Sequence, residues 1–419
     1  MESEPRPASR SLLGCSSGDN LCIVREYEYE VIIVPVFMIF VFFIILGLIL
    51  WLRYRNHKEM EEINDGKDSS RGIQRPNTSE HIALREATVE GVLSCKDPYL
   101  ETFEIPRDRI TGDLQKIRTG TFGPIYKAQL LPKESEKQQT IVIAALRDSP
   151  SARDTQLFLD RIRFHAKLGK HPNIVDMLGC CTDQLPIYLI MENVSEGDLL
   201  NFLWTCRRDV MAMDKIPFDI TEKQIFSVAI QVVNGLEYLH QKKLLHGDVA
   251  ARNVLIHHDF TAKISGLSIA SDIYNRSMIL MHHKIPLKWQ APEHLMKKPV
   301  TEKSDIWSLG ILMYEMVTLG APPYPDIPPR QILQFLQRGH RIKRPPTCGT
   351  TLYNIMKSCW EWRETDRPTY PDLKKRLEAG KKNANDKIVL QVPEEVVPEL
   401  YAQVAGLEES FLMDNFTIL

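Results

Sequence analysis

Cysteine is scarce in this chain, with eight residues among 419. That density is far below the level of a disulfide-stapled domain, which excludes a small secreted scaffold. No Cys-x-x-Cys pair occurs in the sequence, so a zinc module is not expected either. An excess of charge is also lacking, because 52 basic residues face 54 acidic ones and leave a formal charge of −2. A chain without a positive field has no general attraction to nucleic acid, and we expect no such partner.

One long apolar run breaks this otherwise globular composition, at residues 31–52. It reads VIIVPVFMIFVFFIILGLILWL, which is 22 residues without a charge. A helix of that length covers roughly 33 Å at about 1.5 Å per residue, which suffices for a hydrocarbon core of about 30 Å. The flanking charges are Glu26, Glu28 and Glu30 before the run and Arg53, Arg55 and Lys58 after it. Because positive flanks stay in the cytosol, the sequence predicts a single-pass membrane protein with its N-terminus outside.

Composition divides the rest of the chain into four parts. Residues 1–30 form a short extracellular segment, which is too short for a ligand-binding domain. Residues 53–110 are polar and are typical of a cytosolic juxtamembrane linker, whereas residues 111–382 alternate apolar strands with amphipathic helices. Residues 383–419 carry seven acidic residues against one lysine, which predicts a mostly disordered acidic tail.

Sequence blocks within residues 111–382 indicate the chemistry of this region. The blocks are IRTGTFGPIYK at 117–127, LLHGDVAARNVL at 244–255, IPLKWQAPE at 285–293, SDIWSLGILMYE at 304–315 and CWEWRETDRP at 359–368. Together they resemble the signature set of the protein kinase family, and AARN and PLKW are similar to the tyrosine-specific versions. The resemblance implies an α+β, bilobal protein kinase fold with a β-rich N-lobe to about Glu192 and a helical C-lobe. Composition and spacing alone predict only a mixed α/β cytosolic domain.

The resemblance also implies roles for individual residues, with ATP and Mg²⁺ as the cofactors of an active form. Asp248 takes the position of the catalytic base, Arg252 belongs to the same loop, and Asn253 takes a metal-binding position. The positions that would contact ATP are Ile117, Arg118, Gly120, Phe122, Gly123, Ile125, Ala144, Met191, Glu192, Val194 and Leu255. The positions with a structural role are Glu293, Asp305 and Arg367.

The chain departs from the family pattern at the positions that bind the ATP phosphates and their Mg²⁺ ion. The strand after the glycine loop has Ala144 in place of the lysine, and the helical partner of that lysine is Arg161 instead of a glutamate. Gly266 stands where the DFG aspartate would bind Mg²⁺. Removing one preorganised charge partner typically slows a reaction by about 10²–10³. The joint loss of the lysine and the aspartate therefore predicts a reduction of about 10³ or more. The sequence leaves open whether Ala144 is natural or introduced.

Further departures surround this position. Arg118 replaces the first glycine of the loop and is a candidate to reach the phosphates, whereas Arg147 points to the opposite face of its strand and cannot replace the lysine. Gly247 replaces an arginine that normally clamps a phosphorylated activation loop, which leaves Tyr274 without an electrostatic receiver. Glu364 replaces a proline, which is a minor change.

Two functions remain open at this stage. One is a membrane-anchored pseudokinase that signals through protein interactions, which the loss of the carboxylate at Gly266 favours. The other is an active tyrosine or dual-specificity kinase that transfers the γ-phosphate of ATP to protein hydroxyls, which the intact Asp248 and Asn253 favour. In both cases we expect signalling proteins as partners of the kinase-like domain and the tail, with a dimer as one arrangement.

Two tyrosines are candidate phosphorylation sites. Tyr274 follows the DFG position, and Tyr401 lies in the acidic tail. Acidic residues precede Tyr401 and Val404 lies three residues after it, a pattern that suits a phosphotyrosine dock or a sorting signal. The same pattern also fits a tyrosine that is simply solvated.

Overall fold

The chain is described from a computed structural model, which describes residues 88–94, 97–131, 138–207, 219–275, 286–392 and 398–406, with the single residues 39, 41, 42, 44 and 47. The predicted membrane segment, residues 31–52, therefore lies almost entirely outside the described residues. Among the residues that the structure does describe, no helix is both long and apolar enough to cross a membrane. The chain divides into two units at residues 78 and 79, and the elements below belong to the second unit.

The N-terminal lobe is built on a five-stranded antiparallel sheet with the order β1-β2-β3-β5-β4. The strands are β1 (Ile110–Thr119), β2 (Pro124–Leu130), β3 (Gln139–Ala145), β4 (Met177–Cys181) and β5 (Tyr188–Glu192). In β3 the buried residues alternate at Ile141, Ile143 and Ala145, as expected for a strand with one face in the core. One long helix, α3 (Ala152–Leu168), crosses the sheet and starts in a capping box between Ser151 and Asp154.

The end of the predicted linker is part of this lobe. Helices α1 (Val89–Ser94) and α2 (Pro98–Glu101) precede β1. The side chain of Leu100 is only 2% exposed, and the amide of Ile105 donates to the carbonyl of Cys180 at 2.8 Å. We predicted that the linker runs to residue 110, but residues 97–110 belong to the folded lobe. Apolar side chains among them are buried in the lobe, and the amide of Ile105 bonds to the sheet.

The C-terminal lobe is helical, with one short hairpin beside its catalytic loop. Its elements are α4 (Leu199–Thr205), α5 (Glu222–Gln241), β6 (Val254–Ile256), β7 (Ala262–Ile264), α6 (Ser268–Tyr274), α7 (Pro292–Leu295), α8 (Glu302–Val317), α9 (Ile332–Gln337), α10 (Thr350–Cys359) and α11 (Tyr370–Asn383). Helix α8 is apolar on nearly every side and is buried along almost its whole length, which makes it the central helix of the lobe. This arrangement confirms the predicted bilobal fold.

The acidic tail returns to the C-terminal lobe. The amide of Leu390 donates to the carbonyl of Ile220 at 2.8 Å, and residues 398–405 form a further helix, α12 (Pro398–Ala405). The buried residues of α12 are Tyr401, Ala402, Val404 and Ala405. The prediction of a mostly disordered tail is therefore wrong for residues 384–392 and 398–406, because spaced apolar residues give this acidic segment one face that packs on the lobe.

Candidate functional site

The catalytic loop is held in place by Asp305, near the start of α8. Its carboxylate accepts hydrogen bonds from the amides of His246 and Gly247, both at 2.8 Å. Burial raises the pKa of Asp305, although the charge of His246 and the two amide donors oppose this effect. The side chain thus ties the first turn of the central helix α8 to the loop that carries Asp248.

The three residues predicted as catalytic lie together. The Asp248 carboxylate accepts a hydrogen bond from Asn253 Nδ2 at 2.7 Å and forms an ion pair with Arg252. The same Asn253 amide donates to the Asp248 carbonyl at 2.8 Å. The Asp248 carboxylate is therefore held in one orientation, and its charge is balanced by Arg252. Both of its oxygens are already hydrogen-bonded within the loop, one to Arg252 and the other to Asn253.

Gly266 stands at the position of the family's metal-binding aspartate, and the backbone and the neighbouring Asn253 leave no space for a side chain there. Gly266 has φ +71°, a left-handed conformation that favours glycine. A Cβ at this position would lie 2.6 Å from Asn253 Oδ1. In the described part of the chain, no group of three or more His, Cys, Asp or Glu side chains is arranged to hold a metal ion. The residues present do not fit the first Mg²⁺ of a kinase, because the carboxylate is missing and the space for it is filled.

An aromatic ring lies beside Arg161, the residue at the position of the family's glutamate. Phe122 from the glycine loop is 9% exposed and belongs to the same apolar cluster that the partly buried Ala144 contacts. Its ring centroid lies 5.3 Å from that of Phe158 on α3. On the same helix, the guanidinium carbon of Arg161 lies 5.3 Å from the Phe122 ring. Aromatic packing and a cation–π contact thus take the place of an ion pair.

The glycine loop is tied to the end of β3 by Arg147. The Arg147 guanidinium donates to the carbonyl of Thr121 at 2.8 Å and to that of Phe122 at 3.3 Å. Gly123 lies so close to this strand that a Cβ there would be 2.5 Å from the carbonyl oxygen of Ala145. Sequence reasoning excluded Arg147 as a replacement for the lysine but missed this role, for which the sequence carries no signal.

The charge of Arg118, the other candidate cation, acts on Asp198, the N-cap residue of α4. Burial raises the pKa of Asp198, while a hydrogen bond from the amide of Asn201 and the charge of Arg118 act in the opposite direction. The amide of Asn201 donates to this carboxylate at 3.0 Å. Part of the positive field of Arg118 is therefore directed at a fixed carboxylate.

Helix α6, which follows Gly266, packs against α3. The Tyr274 ring lies 5.7 Å from that of Phe164, and Asn275 Nδ2 donates to the carbonyl of Asp160 at 3.4 Å. Burial lowers the pKa of Arg161. The charge of Asp272 on α6 partly offsets this decrease, so the two charged groups are near each other. Tyr274 itself is 41% exposed, and its phosphorylation stays a prediction.

Gly247 makes room for the same helix. It has φ +77°, and a Cβ there would lie 2.9 Å from the side chain of Ile269 on α6. The family arginine at this position would therefore overlap α6 as it is packed here. The glycine is a steric requirement of this arrangement as well as a lost phosphate receiver.

The predicted adenine-contacting residues are placed by the sheet and by the linker between the lobes. Ile125 pairs with Ala144 across β2 and β3, and Met191 pairs with Val142. The Glu192 carboxylate accepts from Lys263 Nζ and from the amide of Asp176, both at 2.7 Å. The remaining positions, all half-buried except for the buried Val194, are Ile117, Gly120, Val194 and Leu255.

The structural ion pair predicted in the C-terminal lobe is formed. Arg367 donates to both carboxylate oxygens of Glu293 at 2.7 and 2.8 Å, and Ser304 Oγ adds a third bond at 2.7 Å. Burial alone would raise the pKa of Glu293, but the bonds from Arg367 outweigh it and the pKa is lowered. The pair is bidentate and buried, so its geometry is fixed.

Tyr401 is the predicted site that the structure corrects. Its side chain is 0% exposed, so it is neither a phosphotyrosine dock nor a sorting signal while α12 is packed on the lobe. The hydroxyl donates to Glu315 Oε1 at 2.7 Å and accepts from Arg252 Nη1 at 3.3 Å. Its ring centroid lies 5.7 Å from that of Trp204 and 5.5 Å from that of Trp289. The burial of an aromatic ring with two hydrogen-bond partners explains why the tail is ordered here.

Glu315 is a functional-site residue that sequence reasoning did not single out. Its carboxylate accepts from the amide of Ala251 in the catalytic loop at 3.0 Å as well as from Tyr401. Burial raises its pKa to about 7, although the charge of Arg252 opposes the shift. Arg252 is also buried, but the charges of Asp248 and Glu315 and the hydrogen bond to Tyr401 outweigh this and raise its pKa. A signal was present in the SDIWSLGILMYE block, where Glu315 follows nine uncharged residues of the helix.

Comparison with known proteins agrees with this geometry. A family model described as protein tyrosine and serine/threonine kinase matches residues 113–377. The human Tyrosine-protein kinase STYK1, the serine/threonine/tyrosine kinase-like protein also called novel oncogene with kinase domain, is 46% identical over 420 residues, which cover 98% of this chain and 99% of that protein. The mouse Tyrosine-protein kinase STYK1 is 46% identical over 422 residues, which cover 98% of each chain. With a kinase fold, an assembled catalytic loop and relatives that match it nearly end to end, the chain belongs to the family of protein tyrosine and serine/threonine kinases.

Proposed function

We propose that this protein is a membrane-anchored, tyrosine-kinase-like signalling protein whose phosphotransfer is impaired and which acts through protein interactions. Three features support the proposal. They are the apolar cluster against which Ala144 packs in place of a lysine, the closed metal position at Gly266, and the uncharged run at residues 31–52.

The position of the Phe122 ring is the observation that carries this proposal. The ring packs against Phe158 and Arg161, in the cluster that Ala144 contacts. A phosphate-binding lysine at residue 144 would bring its charge to this apolar cluster, where Arg161 already lies against the ring, and Arg147 holds the backbone on either side of Phe122. The loop is therefore stabilised in a shape that serves packing and leaves the phosphates without their usual cation.

The metal position supports the same conclusion. Protein kinase domains generally use ATP and Mg²⁺, but Gly266 offers no carboxylate and Asn253 is already bonded to Asp248. With both the lysine and this aspartate absent, we expect transfer to be slower by about 10³ or more. ATP binding is expected to be weak and to depend little on Mg²⁺.

Anchoring in a membrane is proposed on the sequence alone. The uncharged run of 22 residues and its asymmetric flanks suit a single-pass segment with the N-terminus outside and the kinase-like domain in the cytosol. Under this proposal the partners are signalling proteins at the inner face of that membrane.

The second candidate function is an active tyrosine or dual-specificity kinase. The arrangement of Asp248, which keeps its bonds to Arg252 and Asn253 and its support from Asp305, favours this reading. The two relatives named above are also called tyrosine-protein kinases. In this reading Asn253 would be the metal position that remains.

A transfer assay separates the two candidates. The full chain in detergent micelles is incubated with radiolabelled ATP, Mg²⁺ and a tyrosine-containing polymer, next to an Asp248→Asn variant of nearly identical size. Impaired transfer predicts equal labelling by both proteins at background level. Robust labelling by the unaltered chain that Asp248→Asn abolishes would overturn the proposal and establish the kinase.

A further inference from the structure

The tail helix α12 covers a surface beside the catalytic loop. We define the tail-docking surface as Trp204, Arg252, Trp289 and Glu315, the four residues that surround the Tyr401 side chain. These residues come from α4, the catalytic loop, the PLKW segment and α8. The surface therefore joins four separate parts of the lobe, and a single tail tyrosine bridges them.

Tyr401 is linked through one residue to the catalytic-base position. Its hydroxyl accepts from Arg252 Nη1 at 3.3 Å, and Arg252 forms the ion pair with Asp248. The Arg252 guanidinium also lies over Trp289, with its carbon 4.9 Å from the ring. A change at Tyr401 thus alters the surroundings of the one side chain that holds the Asp248 carboxylate from the buried side.

The docked helix is short, and half of its residues are buried against the lobe. Eight residues are too few for a helix to be stable by itself in water, so α12 gains its order from the tail-docking surface. When a segment folds only on binding, the loss of its conformational entropy cancels part of the favourable binding free energy. The net affinity of such a segment is therefore low. The conformational entropy that the tail regains on release therefore offsets part of the contacts that release breaks.

We propose that α12 is a reversible cis-acting cover of the tail-docking surface, and that a tyrosine-bearing amphipathic segment of a partner protein takes its place on release. The surface as it stands already accommodates a tyrosine, because the Trp289 ring lies 5.5 Å from that of Tyr401 and Arg252 donates to the Tyr401 hydroxyl. A partner segment with a tyrosine and an apolar residue three positions later would present the groups that Tyr401 and Val404 present. The inference concerns binding only, and it holds whether or not the chain transfers phosphate.

The buried carboxylate of the tail-docking surface determines whether a phosphorylated or an unphosphorylated tyrosine can bind there. The Tyr401 hydroxyl meets the buried Glu315 carboxylate at 2.7 Å. A phosphorylated tyrosine or a glutamate in that place would bring a second negative charge against it in a buried site. The surface thus selects an unmodified tyrosine, and a modified tail could not return to it.

A binding experiment on the full chain in nanodiscs tests this inference. The probe is a fluorescent peptide with the sequence of residues 395–408, added in trans and followed by anisotropy. The proteins are the unaltered chain, Tyr401→Glu, Tyr401→Phe and Tyr370→Phe. The last is the matched control, because Tyr370 is also a buried tyrosine of this lobe whose hydroxyl donates to a carbonyl, that of Glu302, at 3.4 Å.

We expect Tyr401→Glu to bind the peptide at least 10-fold more tightly than the unaltered chain, because its own helix is expelled. Tyr401→Phe should show a smaller gain of a few fold, and Tyr370→Phe none. Hydrogen exchange should rise over residues 398–405 and 249–254 in Tyr401→Glu. A peptide with glutamate at the tyrosine position should not bind.

Two results would overturn the inference. One is equal peptide affinity of all four proteins, and the other is unchanged exchange at 398–405 in a folded Tyr401→Glu. If Tyr401→Glu does not fold, the decision rests on Tyr401→Phe, which keeps the ring and loses only the hydroxyl. In that case, affinity and exchange equal to those of Tyr370→Phe reject the cover, and a gain at Tyr401 alone supports it.

Discussion

The guanidinium carbon of Arg161 lies 5.3 Å from the centre of the Phe122 ring, which belongs to the apolar cluster against which Ala144 packs. Two departures from the kinase pattern, Ala144 and Arg161, thereby adjoin one apolar cluster. The alanine packs against the cluster, and the arginine replaces a carboxylate that would have lacked a partner. The charge of Asp272 on α6 then offsets part of the cost of burying Arg161.

The first prediction concerns the return of the missing lysine. Ala144→Lys should destabilise the N-terminal lobe by about 1–3 kcal/mol, because the new side chain meets the Phe122 ring and its charge meets Arg161. The double variant Ala144→Lys with Arg161→Glu should recover part of this loss by forming an ion pair. Thermal unfolding of the single, the double and a size-matched Ala144→Met variant measures both effects. Equal melting temperatures for Ala144→Lys and Ala144→Met would show that the charge of Arg161 does not destabilise a lysine at residue 144.

The sequence predicted the fold and the absent charges but not what replaced them. The spaced blocks around Asp248 and Glu293 depend on local patterns, and both residues lie as expected. The inward position of Phe122 could not be predicted, because a phenylalanine in a glycine-rich hairpin carries no sign of which way it points. The contact between Arg252 and Tyr401 spans 149 residues of sequence, and no periodicity reports a pairing at that distance. The acidic composition of the tail pointed to disorder, while its few apolar residues determined the packing.

The topology of the chain gives the second prediction. Asn77, Asn193, Asn275 and Asn415 each begin an N-x-Ser/Thr triplet, whereas residues 1–30 contain none. With the N-terminus outside, all four acceptors face the cytosol and stay unmodified. Expression in mammalian cells followed by glycosidase treatment should leave the mobility on a gel unchanged. As a positive control, an N-x-Thr triplet introduced within residues 1–30 should add glycan, and glycan on the unaltered chain would reverse the proposed orientation.

The buried pair of Glu293 and Arg367 gives the third prediction. Arg367→Met should lower the free energy of unfolding by about 3–5 kcal/mol, because it leaves the Glu293 carboxylate buried without its bidentate partner. Replacing both residues, as Glu293→Gln with Arg367→Met, should cost less than Arg367→Met alone since no uncompensated charge remains. Urea unfolding followed by tryptophan fluorescence measures the difference. A double variant that is as unstable as the sum of the two single variants would assign the loss to packing and not to charge.

The last prediction tests whether the metal position can be restored. Gly266→Asp meets two obstacles, since φ of +71° costs a residue with a Cβ about 1–2 kcal/mol and the Cβ would lie 2.6 Å from Asn253 Oδ1. We expect this variant to melt at a lower temperature than the unaltered chain and to show no Mg²⁺-dependent stabilisation by ATP. Gly266→Ala is its matched control, because it carries the same backbone strain and the same contact with Asn253 but no charge. The two variants should therefore melt alike, with and without ATP and Mg²⁺. If Gly266→Asp instead gains a thermal shift that requires both ligands while Gly266→Ala does not, the site can open to admit the ion, and the closure of this position by Asn253 is not what impairs transfer.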